Sequence, residues 1–223
     1  LYSLNWKFGK KSSWIQKGIT FEQLQRLEKE WVEKAEQNRW IIPKARFGIF
    51  PAQADGDEVV FYESEKKEKE LGRFNFDLCI GKGRKDKFSI GQYFHSVESG
   101  QLDAIGLQIT TAGIGVEAGI KSFKDQNDSE SALYLQGLSD RVAEDMAEYI
   151  HQLLRIRAGY KKENRGQRYS PGYPALTNLK GNSIIFDALG AEDLGVTLTD
   201  ANEFYPPSTT AAVICFHKDA SYS

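Results

Sequence analysis

Two stretches of the 223-residue sequence, and one scattered set of His and Cys, hold chemically useful residue types. The first runs Arg168, Tyr169, Ser170, Pro171, Gly172, Tyr173, Pro174, Ala175. Pro171 fixes its own φ, and Gly172 admits a backbone conformation or close approach that a side chain would block. The turn therefore holds its N–H and C=O groups in set directions, which suits an adenine edge or an amino-acid moiety. Arg168 can grip a carboxylate with two parallel hydrogen bonds. Tyr173 offers a flat face and one hydroxyl. On these residues alone, a Pro/Gly surface turn beside an exposed Arg remains the plainer reading.

The second stretch, Gly113, Ile114, Gly115, Val116, Glu117, Ala118, spells G-x-G-x-x-A after a strand-like segment. That pattern can seat a pyrophosphate on backbone N–H groups at a helix N-terminus. Its context argues against a dinucleotide site. No second strand follows a single short helix, and no acidic residue closes one about 20 residues on. A Gly-rich turn between strand and helix is expected, and an oxidoreductase built on it ranks last. The third set, His95, His151, His217, Cys79 and Cys215, lacks any metal-ligand spacing and reads as structural or surface residues. Ser170 lies in no G-x-S-x-G context, so no nucleophile triad is indicated.

Composition narrows the partners. A formal charge of −2 argues against nucleic acid, which demands a basic excess. Lys and Glu alternate from Glu65 to Glu70, as on a solvated surface and unlike a polybasic membrane anchor. No apolar run approaches the ~20 residues of a membrane span, and no secretory signal is visible. Both cysteines sit in apolar runs and read as buried free thiols, so a reducing, cytoplasmic setting is expected. The first residue is Leu, which suggests a piece of a longer chain or a processed product.

Periodicity supplies the elements that would position these residues. Apolar spacing predicts a helix over 20–38 with Thr20 as N-cap. Strands are expected over 46–51, ended by Pro51, and over 58–62, with a turn at Asp55, Gly56 and Asp57 between them. Alternation predicts a strand over 71–80, with Phe74, Phe76 and Leu78 on one face. Another strand is expected over 105–111. The longest helix should run 129–158, its apolar stripe made of Leu135, Leu138, Val142, Met146, Tyr149, Leu153 and Ile156. A loop over 164–174, a short helix over 183–189 and strands over 196–199 and 210–216 complete the chain. The pattern fits one α+β domain spanning 1–223, with one long central helix and a loop-rich C-terminal half.

Ordered blocks along the chain resemble the activation module of cobalamin-dependent methionine synthase. Residues 168–175 are similar to that family's R-P-A-P-G-Y-P-A block. Residues 47–52 and 56–59 resemble its G-L-F-P-A and G-D-D-I segments, and 138–151 its long helix, A-D-R-L-A-E followed by A-E-Y-L-H. Residues 195–200, 206–210 and 217–222 follow its G-x-x-L-T-E, M-x-P and H-P-x-S-x-Y blocks. The resemblance implies a mainly antiparallel twisted sheet around the central helix. It also implies a shallow groove for S-adenosylmethionine, with Arg168 on the methionine carboxylate and Ser170, Gly172, Tyr173 and Ala175 along the wall. Tyr222 matches a tyrosine near the ligand. Ser223 stands where a second tyrosine is usual, and Lys218 where a Pro is. Glu163 matches a Glu across a one-residue gap. Glu144 matches a carboxylate beside the sulfonium, where a neighbouring anion is favoured. By its own spacing it also reads as a solvated helix carboxylate beside Asp140 and Glu148. The family's ligand-contacting aspartate would fall before Leu1.

The activity implied is reductive reactivation. Cobalamin held by a neighbouring domain is reduced by a flavodoxin-like donor and takes a methyl group from S-adenosylmethionine, sustaining methionine synthesis from homocysteine. The alternative is a non-catalytic S-adenosylmethionine-binding accessory protein of the same fold.

Overall fold

A computed structural model describes residues 20–80, 87–160 and 165–220. The elements, in chain order, are α1 (Phe21–Gln37), β1 (Lys44–Asp55), β2 (Glu58–Tyr62), β3 (Glu70–Asn75), β4 (Asp103–Thr111), α2 (Gly115–Asp125), α3 (Ser129–Arg157), β5 (Gln167–Tyr169), α4 (Lys180–Leu189), β6 (Thr197–Leu198), β7 (Phe204–Tyr205) and β8 (Thr209–Cys215). The fold is α+β. Six strands form one sheet in the order β3-β2-β1-β4-β8-β5, every neighbouring pair antiparallel.

Strand alternation sorts the two faces of this sheet. Ile105, Leu107 and Ile109 of β4 pair in register with Cys215, Val213 and Ala211 of β8. These residues join Phe61, Phe74 and Ile185 of α4 in the main core. Each such large side chain withdrawn from water contributes on the order of 1.5–3 kcal/mol. On the opposite face, Ile214 and Phe216 pack with Ile150 and Leu154 of α3. Gly106 lies on that face, where a Cβ would stand 3.0 Å from Ile214. A third cluster joins Trp31 of α1, Val116 and Ile120 of α2, and Ala132 and Leu135 of α3. There Trp31 stacks on Tyr134 at 5.2 Å.

Helix α1 begins as its sequence predicts. Thr20 and Gln23 form a reciprocal capping box, each side chain accepting from the other's backbone N–H. Gly56 takes φ +62° in the β1–β2 turn. Both cysteines are buried and free, and burial pushes the Cys215 thiol up to about 12.

Four expectations about the elements are corrected. Pro51 does not end β1. Ala54 donates its N–H to His95, beyond the β4 end of the ladder. By alternation Pro51 therefore turns its nitrogen to the β2 side, where pairing starts only at Ala52, and its missing N–H costs no ladder bond. The strand expected over 71–80 stops at Asn75. Beyond it Leu78 is exposed, because Asp77 turns away to bond residues 175 and 177. The segment over 164–174 is not all loop, since β5 adds to the free edge of β8.

The fourth correction concerns α3, which is 29 residues and thus about 43 Å long. Its buried face carries Ala132, Leu135, Ser139, Ala143, Ala147, Ile150, His151 and Leu154, whereas Tyr149 and Ile156 are exposed. Small residues let the helix lie close on β4. Gln108 and Thr110 of β4 then reach its backbone, donating to the carbonyls of Ala147 (3.1 Å) and Ala143 (3.0 Å). Among the described residues, no helix is long and apolar enough to cross a membrane.

Candidate functional site

The 168–175 stretch runs from the sheet edge into a compact turn. Arg168 and Tyr169 belong to β5, and Tyr169 is buried with its ring edge-on to Phe76. The chain then folds on itself. Tyr173 N–H donates to Ser170 C=O, Leu176 N–H to Tyr173 C=O, and Gly172 N–H to Leu176 C=O. Gly172 holds φ +90°, a conformation that L side chains rarely adopt. Pro171 packs against α4 at Gly181, where a Cβ would approach the proline ring to 2.8 Å. The loop is thus seated on α4, with Tyr173 left exposed.

This loop forms one wall of an open groove of about 610 Å³, within the range of small-molecule sites. Ser170, Pro171 and Tyr173 line one side, and Gln136, Asp140, Ala143 and Glu144 of α3 the other. Glu203, Phe204 and the segment 207–211 complete it. Three carboxylates, Asp140, Glu144 and Glu203, face this space, and no Lys or Arg is among the described lining residues. A groove so lined attracts cations.

Asp140 is held in a polar network. Its Oδ1 accepts from Gln136 Nε2 at 2.8 Å and from Ser208 Oγ at 2.7 Å. Ser208 is buried and also lies 2.8 Å from the hydroxyl of Ser139. Next to it, Thr209 Oγ1 donates to Thr111 Oγ1 at 2.9 Å. No local pattern in the sequence marks Gln136, Ser208 or Glu203. The four-residue spacing of Asp140 and Glu144 was the available signal for Asp140.

Arg168 is not among the lining residues and lies over α3. Its Nη2 donates to Glu144 Oε2 at 3.2 Å, and its Nε lies 3.6 Å from Glu148 Oε2. Glu144 is therefore both a groove residue and the ion-pair partner of Arg168. Beneath them lies His151, buried, with Nε2 lacking a hydrogen-bond partner. Burial first, then the positive charges of Arg155 and Arg168, lower its pKa to about 4, so the imidazole is neutral near pH 7.

Of the residues expected at the site, Ser170, Tyr173 and Glu144 meet in the groove. Gly172 shapes the turn without being among the lining residues. Ala175 is buried on the far side of the loop, its C=O accepting from Asp77 N–H at 3.1 Å. Glu163, Tyr222 and Ser223 lie outside the described residues. The Gly113–Gly115 turn is a packing feature. Gly113 has φ +98°, and Cβ atoms there and at Gly115 would meet backbone oxygens of Ile42 and Arg39 at 2.7 Å. The glycines thus admit the chain's own backbone. Among the described residues, no group of three or more His, Cys, Asp or Glu is placed to hold a metal ion.

Comparison with known proteins agrees with this architecture. Residues 2–223 match the family model for the activation domain of vitamin B12-dependent methionine synthase. The methionine synthase of Mycobacterium tuberculosis is 24% identical over 200 residues, which is 79% of this chain and 16% of that protein. A crystal structure of the MetH reactivation domain bound to AdoHcy superposes with a TM-score of 0.85 at 24% identity, covering all of this chain and 74% of the other.

Proposed function

The chain belongs to the family of vitamin B12-dependent methionine synthase activation domains, and on that premise we propose that its groove binds S-adenosylmethionine and presents the methyl group to reduced cobalamin on a neighbouring domain. The observation that carries this is the groove itself, a rigid Pro/Gly loop facing three carboxylates. S-adenosylmethionine is a zwitterion with an additional positive sulfur. Its adenine and ribose match a loop with fixed backbone groups and an exposed Tyr173. Its sulfonium matches Glu144 and Asp140. The related structure solved with AdoHcy, the demethylated product, supports the same ligand class.

The Arg168–Glu144 pair adds a charge-balanced way in. A methionine carboxylate that takes Arg168 leaves Glu144 free for the sulfonium or ammonium of the same ligand. Binding then exchanges one ion pair for two, and Asp140 and Glu203 remain in the groove for the ligand's second cation. Arg168 is largely covered in the free protein, whereas Glu144 is half exposed.

Reduced cobalamin on the neighbouring domain, with a flavodoxin-like donor as its reductant, would supply the electron pair for the methyl group. The C–S pair stays on sulfur, so the product is a neutral thioether. No proton moves, and no general base is required of this chain. Its residues bind, orient the S–CH₃ bond and keep it in place, a contribution of proximity. Glu144 and Asp140 stabilise a charge present before transfer and absent after it. Their attraction therefore belongs to substrate binding and product release, and not to lowering the barrier. In this reading the chain, 1–223, is one activation unit of a cytoplasmic methyltransferase that makes methionine.

Calorimetry of the chain with S-adenosylmethionine and with S-adenosylhomocysteine tests the binding step. Glu144→Gln should weaken the first about tenfold and the second much less, because only the first carries the sulfonium charge. Equal losses on both would remove Glu144 from the sulfonium and leave it the ammonium that both ligands carry, and no loss on either would remove it from the charged end. Methyl-labelled S-adenosylmethionine, the cobalamin domain and a reductant test the transfer. Binding without label on cobalt would leave the accessory-protein reading.

A further inference from the structure

The segment that leaves β3 has no part in the groove, yet it touches the groove loop at both ends. At the entrance, the Phe76 ring stands edge-on to Tyr169, with centroids 6.2 Å apart at 74°. At the exit, Asp77 N–H donates to Ala175 C=O at 3.1 Å. Asp77 Oδ2 accepts from both Thr177 N–H (2.8 Å) and Thr177 Oγ1 (2.7 Å). The segment is itself anchored. Cys79 and Phe88 exchange two backbone hydrogen bonds at 2.9 Å, and Ser89 Oγ donates to Phe76 C=O at 3.1 Å. Phe76, Cys79 and Phe88 are all buried.

We infer that residues 76–79 are a strap that sets the span of the S-adenosylmethionine loop, with Asp77 as its positioning residue. This rests on the proposed function of the groove. Ser170 and Tyr173 face the groove from a turn closed by only three backbone hydrogen bonds. Its start is already seated, Tyr169 by its pairing with β8 and Pro171 by its packing on α4, which leaves the exit over 173–177 as the end that could still swing. Pinning residues 175–177 removes that freedom, so the ordering cost falls on folding and is spared on binding. The Thr177 hydrogen bonds hold the Asp77 carboxyl below the usual carboxylate range, as expected of a charged acceptor in use. Asp77 acts through the loop and does not touch the ligand.

The test uses the full chain in two arms. In the first, calorimetry measures S-adenosylmethionine affinity. Asp77→Ala should lose about tenfold or more, the size of one or two lost charge-assisted bonds. Asp77→Asn, whose amide oxygen can still accept from Thr177, should recover most of that loss. In the second arm no ligand is present. Amide exchange at Gly172 and Leu176 should quicken in Asp77→Ala while Val213 in β8 keeps its protection. Thr177→Val, which removes one donor at constant shape, should give the same local pattern at smaller size and serves if Asp77→Ala loosens the whole fold. Unchanged exchange at Gly172 and Leu176 in a folded variant overturns the strap. So does an Asp77→Ala protein with the original affinity. If the unsubstituted chain binds no S-adenosylmethionine, the proposed function fails, and the exchange arm still decides the strap.

Discussion

Removing the Arg168 guanidinium tests the ion-pair exchange directly. In the free protein Arg168 is 15% exposed, and its partners Glu144 and Glu148 are 50% and 61% exposed. Both carboxylates stay solvated when the cation is deleted, so the lost ion pair itself should cost the fold less than about 1 kcal/mol, with the packing of the covered Arg168 stem lost in addition. The cost to binding is larger. A charge-assisted pair with the ligand carboxylate contributes roughly 1.5–3 kcal/mol. The intramolecular pair surrendered in exchange offsets up to about 1 kcal/mol of that. The net loss is then about 0.5–3 kcal/mol, or roughly two- to 150-fold in affinity. Arg168→Lys keeps the charge but not the planar fork, and should fall between. Calorimetry at low and moderate salt measures it, with the difference between variants shrinking as salt rises. In a double-mutant cycle, Arg168→Ala and Glu144→Gln should be non-additive, since each changes the other's partner. Unchanged affinity in a folded Arg168→Ala protein would refute the exchange and remove Arg168 from the site.

Two further outcomes follow from particular geometries. Gly172→Ala places a Cβ at φ +90° and 3.0 Å from Leu179 Cδ2. It should lower stability by about 1–2 kcal/mol, read by urea unfolding, and weaken S-adenosylmethionine binding through the displaced Tyr173. Burial holds the folded pKa of His151 down at about 4, below the 6.5 of an ordinary imidazole. Above pH 6.5 both states hold it neutral and stability is unaffected. As pH falls from 6.5 towards 4, the unfolded state binds the proton first, and roughly 2–4 kcal/mol is lost by the time pH passes the folded value. Urea midpoints from pH 7 to 4 should therefore slope less steeply in His151→Leu than in the unsubstituted protein, and equal slopes would refute the assignment.

Much of the architecture was legible because it is local. The helix over 20–38 announces itself by its N-cap and its apolar spacing, and the structure reproduces it to within a residue at each end. The strand over 105–111 is legible as a short apolar run. The inward face of α3 was not. Its large apolar residues pointed to one stripe, but the side that packs on β4 carries Ala143, Ala147 and Ser139. Gln108 and Thr110 decided this by presenting donors that only a closely approaching helix backbone can satisfy. Such a preference belongs to two elements together and leaves no trace in the periodicity of either.

The site divides the same way. The chain's own order of residues determined that 168–175 is a stiff turn with a cation before it and an aromatic within it, since Pro and Gly act on their own backbone. Tertiary structure decided what that turn faces. Ser208 reaches Asp140 across 68 positions, and Asp77 reaches Thr177 across 100. It also decided that Arg168 rests on Glu144. Hydrogen bonds and ion pairs act over a few ångströms, and only the folded sheet brings residues so distant in sequence within that range.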